Sequence, residues 1–235
     1  MQGLAAWPSE ISTCRSYFIA QPCPYVSKSY FCVQCKNNSL TLKLRIMLKI
    51  ENLPAFSNPE NIFLAARYNY LPTSVEASGA AWGIRKRVWK FKDGDFSITL
   101  DTARWVASVL DENITLLDDC VFACIPASSK DRNEARFCFF AAEVCRATGM
   151  TNGFNQIKVS GDRIALHEHR VCKSLETVQV LEFNRDFFNG RQVIIFDDVV
   201  TRGDSLATMI DAFQAMGATV VGAVFLARTS YSVPM

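Results

Sequence analysis

Two adjacent aspartates near the end of the chain have residue types and spacing suited to chemistry. Asp197 and Asp198 follow the apolar run 193–196 and precede a loop, 201–205, that contains threonine, glycine and serine. A helical pattern then begins at Leu206. The loop therefore opens into a helix N-terminus, where unpaired N–H groups and the positive end of the helix dipole favour an anion. Because the carboxylates would repel that anion, they must face hydroxyls or a cation elsewhere on the ligand. A ribose 5-phosphate has this combination of groups.

The whole stretch 193–205 resembles the PRPP-binding signature of the type I phosphoribosyltransferases, which use 5-phosphoribosyl-1-pyrophosphate (PRPP). The shared pattern is four apolar residues, an acidic pair, two apolar residues and Thr-x-Gly-x-Ser. The resemblance implies that Asp197 and Asp198 hold the ribose hydroxyls and that the loop cradles the 5-phosphate. The loop residues are Thr201, Arg202, Gly203, Asp204 and Ser205. The alternative is an ordinary strand–turn–helix whose aspartates only cap the helix.

A second loop follows the apolar run 120–125, and such a short continuous run is typical of a strand buried on both faces of a parallel sheet. The loop, Pro126 to Lys130, contains small residues, two hydroxyls and an ammonium group, which suit an anion. By resemblance this is the pyrophosphate loop that meets the leaving group. Its candidate residues are Ser128, Ser129 and Lys130, with Arg132 as additional charge. The alternative is a plain βα turn.

The elements around these loops predict a doubly wound α/β domain with a mostly parallel sheet, the type I phosphoribosyltransferase fold, over residues 51–235. Ligands of open α/β sheets bind at the carboxyl ends of strands, where both loops lie. Hydrophobic periodicity predicts helices over 80–92, 101–114, 133–148 and 206–216, and strands over 120–125, 178–183, 193–196 and 219–227. The stretch 39–50 fits either a helix or a strand.

Residues 1–50 form a separate, cysteine-rich N-terminal segment that contains four of the nine cysteines. Cys32 and Cys35 form a C-x2-C knuckle, a spacing that lets two thiolates bind one tetrahedral metal ion, and Cys14 and Cys23 complete a set of four. A small segment with little apolar mass needs such a metal to hold its fold. The interpretation is open between structural zinc and four free thiols.

The order of segments gives a second resemblance. A cysteine-bearing N-terminus, a tyrosine stretch at 62–71 and a basic helix ending in Lys-x-Lys-Asp-Gly-Asp precede the phosphoribosyltransferase pattern. This order is similar to the ComF family of competence-associated, phosphoribosyltransferase-like proteins. Members of that family usually have two C-x2-C knuckles, whereas this chain has one. The basic helix could contact nucleic acid or a phosphorylated substrate, but a solvated face is the favoured interpretation.

The polar stretch 152–184 contains both histidines of the chain, His167 and His169. They would lie on one side of an extended strand, as a metal pair might, but no third ligand is close in sequence. In related enzymes the corresponding loop closes over the active site, so a lid is favoured over a metal site. The basic residues that could reach the pyrophosphate are Lys158, Arg163, Arg170 and Lys173.

Composition places the chain in a broad class. Its 235 residues are 49% hydrophobic and 20% charged, as in an ordinary globular protein. A net charge of +2 favours neither a nucleic-acid nor a membrane partner. The apolar runs are shorter than the roughly 18–20 residues that span a bilayer, and the first residues lack the features of a signal peptide. We therefore expect a cytoplasmic protein, and a homodimer is compatible with the sequence without being required by it.

Together these features predict a phosphoribosyltransferase that transfers a 5-phosphoribosyl group from PRPP to a nitrogenous acceptor and releases pyrophosphate. The resemblance gives catalytic roles to Asp197 and Asp198 at the ribose and to Lys130 at the leaving group, with Mg²⁺ on the oxygens of PRPP. No motif identifies the acceptor. The alternatives are a non-catalytic PRPP- or nucleotide-binding regulatory protein and a ComF-like DNA-uptake factor.

Overall fold

A computed structural model of the chain describes residues 47–56, 62–160 and 180–231. Several predictions therefore lie outside the described residues. These are the zinc site at Cys14, Cys23, Cys32 and Cys35, the histidine pair, and three of the four basic residues of the predicted lid.

One six-stranded, mostly parallel sheet organises the described residues. Its strands are β1 (Leu48–Lys49), β2 (Phe63–Tyr70), β3 (Cys120–Cys124), β4 (Thr151–Asn152), β7 (Gln192–Val200) and β8 (Thr219–Thr229). They lie in the order β1-β2-β8-β7-β3-β4, and only the β1–β2 pair in this sheet is antiparallel. Two further strands, β5 (Ile157–Ser160) and β6 (Val180–Phe183), form a separate antiparallel pair. The strand that carries Asp197 and Asp198 therefore lies inside the sheet.

The helices connect these strands. They are α1 (Gly79–Lys92), α2 (Phe96–Asn113), α3 (Lys130–Asn133), α4 (Phe139–Thr148), α5 (Arg185–Phe188) and α6 (Asp204–Ala215). A π-helical segment, Glu134–Cys138, joins α3 to α4. None of the described helices is both long and apolar enough to cross a membrane.

Helices cover both faces of the sheet, which confirms the predicted doubly wound architecture. Alternate residues of β7 belong to different cores, as the two-residue period of a strand requires. Ile194 and Phe196 pack in the core formed with α1, α2 and α4. Val193 and Ile195 pack in the core formed with α6. All four side chains are fully buried.

The last apolar residue before the acidic pair is anchored in an aromatic cluster. The ring centroid of Phe196 lies 4.3 Å from that of Phe140 and 5.7 Å from that of Phe91. Phe137 and Phe122 complete the cluster, with centroids at 6.2 and 6.3 Å from Phe196. Such aromatic pairs contribute about 0.5–1.5 kcal/mol each beyond the area that they bury. The middle of β7 is therefore held by packing from four different elements, α1, β3, the π-helical segment and α4.

Two helices begin earlier than their apolar spacing predicts, because capping residues start them. The Asp95 side chain accepts a hydrogen bond of 3.0 Å from the Ile98 N–H, so α2 begins at Phe96. The Ser129 side chain accepts one of 3.4 Å from the Arg132 N–H, so α3 begins at Lys130. Lys130 therefore belongs to the first turn of a helix and not to the loop in which the sequence places it.

Candidate functional site

Asp197 and Asp198 lie in the second half of β7. The two-residue period of the strand gives their side chains different surroundings. Asp197 follows the alternation of Val193 and Ile195, toward α6, whereas Asp198 follows Ile194 and Phe196, toward α1 and α4. The two carboxylates are adjacent in sequence but have different hydrogen-bond and ion-pair partners.

Asp198 is buried and bound by two cations. One carboxylate oxygen, Oδ2, lies 2.5 Å from Nη1 of Arg136, and the other, Oδ1, lies 3.3 Å from Nζ of Lys92. Only 5% of the surface of Asp198 is exposed, so water does little to screen these ion pairs. Both oxygens of Asp198 are thus occupied by side chains of this chain.

The two cations come from segments that pack against each other. Lys92 is the last residue of α1, and Arg136 lies in the π-helical segment. The Arg136 Nε–H donates a hydrogen bond of 3.3 Å to the Lys92 carbonyl at the end of α1. Gly94 follows that end at φ +73°, and a Cβ there would lie 2.7 Å from the Ala135 carbonyl oxygen. This close approach packs the end of α1 against the π-helical segment beside Asp198.

Asp197 has a different electrostatic environment. It is half-buried, and its Oδ1 accepts a hydrogen bond of 2.8 Å from the Asp198 N–H. Burial raises the pKa of the Asp197 carboxyl well above its usual range, and the neighbouring charge of Asp198 raises it further. The Asp198 N–H and the more distant Lys92 and Arg136 oppose this shift in pKa without cancelling it.

The loop 201–205 leads directly into the N-terminus of α6. Gly203 adopts φ +97° and is the N-cap of α6, and no side chain caps the helix there. The first N–H groups of a helix have no intrahelical acceptors, so this end offers donors. Residues of the loop and Asp197 line one cavity of about 130 Å³.

Gly203 is required for a second reason, which the sequence does not reveal. A Cβ at this position would lie 3.1 Å from two side-chain atoms of Leu53 and 3.4 Å from Cβ of Phe56. The Ala55 N–H also donates a hydrogen bond of 2.8 Å to the Arg202 carbonyl. The turn 53–56 therefore packs against the loop, and a side chain at Gly203 would press on this turn.

The polar side chains of the loop have partners of their own. The hydroxyl oxygens of Thr201 and Thr229 lie 2.7 Å apart, which ties the loop to the end of β8. Arg202 and Asp204 form an exposed ion pair of 3.4 Å. Among residues 201–205, Ser205 lines both the loop cavity and a larger neighbouring one.

That larger cavity, of about 490 Å³, brings the two predicted loops together, and its size is within the range of small-molecule sites. Residues 125–128 line one side, and Ser205 and the acidic pair line another. Buried Asn133 fixes the second loop, because its Oδ1 accepts a hydrogen bond of 3.0 Å from the Ala127 N–H. Arg132 lines the cavity too, and its Nη1 lies 3.1 Å from Oγ of Ser128.

Two predicted residues of the second loop lie elsewhere. Ser129 caps α3, and Lys130 lines a different cavity of about 300 Å³ together with Lys158 and Glu182. The cations on the larger cavity are Lys92, Arg132 and Arg136. The sequence prediction included Lys92 only as part of a basic helix and did not include Arg136. No local pattern identifies Arg136, because it is 62 positions from its partner Asp198.

No group of three or more His, Cys, Asp or Glu side chains within 47–56, 62–160 and 180–231 could hold a metal ion. The four free cysteines of those ranges include buried Cys124 and Cys145. Burial raises the pKa of the Cys145 thiol to about 12, so that thiol is protonated at neutral pH.

Comparisons with known proteins give matches to solved structures. No protein-family model and no curated protein matches the chain. An adenine phosphoribosyltransferase from Thermoanaerobacter pseudethanolicus is 17% identical over 57% of this chain and 74% of that chain, with a TM-score of 0.35. A purine phosphoribosyltransferase from Pyrococcus horikoshii is 12% identical over 71% of this chain and 82% of that chain, with a TM-score of 0.34. A hypoxanthine-guanine phosphoribosyltransferase from Bacillus anthracis is 14% identical over 64% of this chain and 74% of that chain, with a TM-score of 0.32.

Proposed function

We propose that this protein is a phosphoribosyltransferase that binds PRPP where β7 meets α6 and transfers its 5-phosphoribosyl group to a nitrogenous acceptor. One observation carries the proposal. Asp197 lines both the cavity of the uncapped loop 201–205 and the larger cavity bordered by the loop 125–128. A ligand with a phosphate at one end, vicinal hydroxyls in the middle and a diphosphate at the other fits this arrangement.

Each part of the ligand has a complementary group in this site. The N–H groups at the start of α6 suit the 5-phosphate. In this proposal the Asp197 carboxylate accepts hydrogen bonds from the ribose hydroxyls and offsets positive charge at C1 as the glycosidic bond weakens. The residues around 125–128 and the nearby cations suit the diphosphate. The protein's role in such a reaction is to orient the ligand and to stabilise charge, and it needs no protein nucleophile.

Mg²⁺ fits this proposal through the oxygens of the ligand. The diphosphate and ribose hydroxyls are hard oxygen donors, and the carboxylate of Asp197 can add one protein ligand. When bound, the ion would neutralise part of the diphosphate charge. Asp198 is less suited to this role, because both of its oxygens already contact cations.

The decisive experiment is pyrophosphate release from PRPP across a panel of nucleobases and amines, with PRPP binding measured in parallel. We expect Mg²⁺-dependent release with at least one acceptor. Binding without release for the whole panel would favour a protein that senses PRPP, and an absence of binding would refute the proposal. The ComF-like assignment, which the order of the N-terminal cysteines, the tyrosine stretch and the basic helix suggests, and the DNA-uptake role that follows from it by analogy stay predictions.

A further inference from the structure

We propose that Asp198 does not bind the ribose but holds Arg136 and Lys92 as a preformed two-cation receptor for the diphosphate of PRPP. This inference rests on the proposed function. It divides the acidic pair into one residue for the ribose, Asp197, and one positioning residue for the leaving-group site, Asp198. The sequence resemblance instead implies that both acids hold the ribose hydroxyls.

The occupancy of the carboxylate oxygens supports this division. Oδ2 of Asp198 is bound by Arg136 and Oδ1 by Lys92, at 2.5 and 3.3 Å. A ribose hydroxyl could donate to Asp198 only by competing with charged donors, which form the stronger hydrogen bonds. Asp197 accepts one hydrogen bond on Oδ1, from a neutral backbone N–H, and has Oδ2 available in the described contacts.

The two cations retain donors that a diphosphate can use. In the described contacts, the Arg136 guanidinium uses Nε for the Lys92 carbonyl and Nη1 for Asp198. A guanidinium has five N–H donors and an ammonium has three, so each cation can bind a further oxygen. Both side chains line the larger cavity, with the Arg136 side chain 14% and the Lys92 side chain 39% exposed. The fork of an arginine matches the spacing of phosphate oxygens.

The charge of the cluster also favours a polyanion. Asp198 supplies one negative charge against the two positive charges of Arg136 and Lys92, so the three side chains keep a net positive charge. The carboxylate thus fixes the cations in place, which lowers the entropic cost of ordering them when the ligand binds. Without this anchor, two cations at one buried edge would repel each other.

The first test is a matched pair of substitutions measured with ribose 5-phosphate, which lacks the diphosphate. Asp197→Ala should weaken ribose 5-phosphate binding by about 10-fold or more, whereas Asp198→Ala should leave it within about threefold of wild type, since only the former loses a charge-assisted or acid hydrogen bond to the ligand. Equal losses in the two variants would overturn the proposal.

The second test compares ribose 5-phosphate with PRPP. Arg136→Met should lower PRPP affinity by about 10- to 100-fold, the effect of losing a charge-assisted hydrogen bond, and should not change ribose 5-phosphate affinity. Arg146→Met is the control, because Arg146 forms an exposed pair with Glu143 and does not line the cavity. A loss of both affinities in Arg136→Met, or of neither, would contradict the receptor role.

Stability is checked in the same series. Arg136→Met leaves a buried carboxylate with one partner, so the double variant Arg136→Met/Asp198→Asn serves as a folded substitute if the single variant does not fold. It should show the same selective loss of PRPP binding. If the wild-type protein binds neither ligand, the proposed function itself fails. If the wild type binds both ligands and the variants do not lose PRPP affinity selectively, only this inference fails.

Discussion

At the residue scale, two adjacent carboxylates behave differently because their neighbours differ. The cations contact Asp198, while Asp197 has a backbone N–H and the negative charge of Asp198 beside it. Burial and the neighbouring charge of Asp198 therefore raise the pKa of Asp197. This shift has a consequence for stability, because the pKa of the folded state lies above that of the unfolded chain.

We expect Asp197→Asn to flatten the pH dependence of stability above about pH 4, the ordinary pKa range of an aspartate. Between the ordinary pKa and the raised pKa of Asp197, the folded protein binds more protons than the unfolded chain. The free energy of unfolding of the wild type therefore falls as pH rises, by at most about 1.4 kcal/mol per pH unit. Chemical denaturation at a series of pH values measures it. A wild type that becomes more stable relative to the variant as pH rises would contradict this shift in pKa.

Gly203 offers a prediction with a matched control in Gly190, since both have positive φ, +97° and +71°. Gly203→Ala and Gly190→Ala should each lose about 1–2 kcal/mol of stability from left-handed strain. A Cβ at Gly190 has no neighbour within 4 Å, whereas one at Gly203 meets Leu53. We therefore expect only Gly203→Ala to displace the loop and weaken PRPP binding, as calorimetric titration would show. Equal affinities in the two variants would argue against the loop as the phosphate site.

At the element scale, the aromatic cluster around Phe196 holds the middle of β7 in place. Phe196→Ala should lower the free energy of unfolding by about 3–5 kcal/mol, because it removes a fully buried ring from contact with several others. The control is Phe96→Ala, since Phe96 is 54% exposed and should lose about 1 kcal/mol or less. Denaturant titrations measure both. Similar losses would show that the cluster does not anchor the strand.

The elements themselves could largely be predicted from the sequence, because hydrophobic period is a local property. The four apolar residues before Asp197 and the helix after Gly203 follow directly from it. The predicted first residues of two helices were too late, because the capping side chains of Asp95 and Ser129, and not apolar spacing, set where these helices begin. Lys130, predicted in a loop, therefore lies in a helix, and it lines a different cavity from the one that the acidic pair lines.

At the scale of the whole molecule, the candidate site depends on contacts that no local pattern contains. Lys92 and Arg136 are 44 positions apart, and Arg136 is 62 positions from Asp198. The sequence signature contains the two acids and the loop 201–205, but the cations beside them depend on how α1 and the π-helical segment pack on the sheet. The support of Gly203 by Leu53 is likewise a tertiary contact between distant parts of the chain.

The N-terminal cysteines allow a separate prediction about metal content. If Cys14, Cys23, Cys32 and Cys35 bind one zinc ion, the purified protein should contain about one equivalent of zinc, since a structural site takes four ligands. Cys32→Ser/Cys35→Ser should lose it, whereas Cys138→Ser, which replaces an exposed free cysteine, should not. Elemental analysis measures the zinc content of the wild type and both variants. Unchanged zinc in the double variant would exclude the site.

The most direct test of the account is PRPP affinity in the presence of Mg²⁺ for the wild type and Asp197→Ala, with melting temperatures measured alongside. Asp197 lies in the second half of β7, is half-buried and lines both cavities, so the variant should fold. We predict that the wild type binds PRPP and that the variant loses about 10-fold or more of that affinity, as expected when a hydrogen bond to the ribose is removed. A folded variant that binds PRPP as tightly as the wild type would contradict the account.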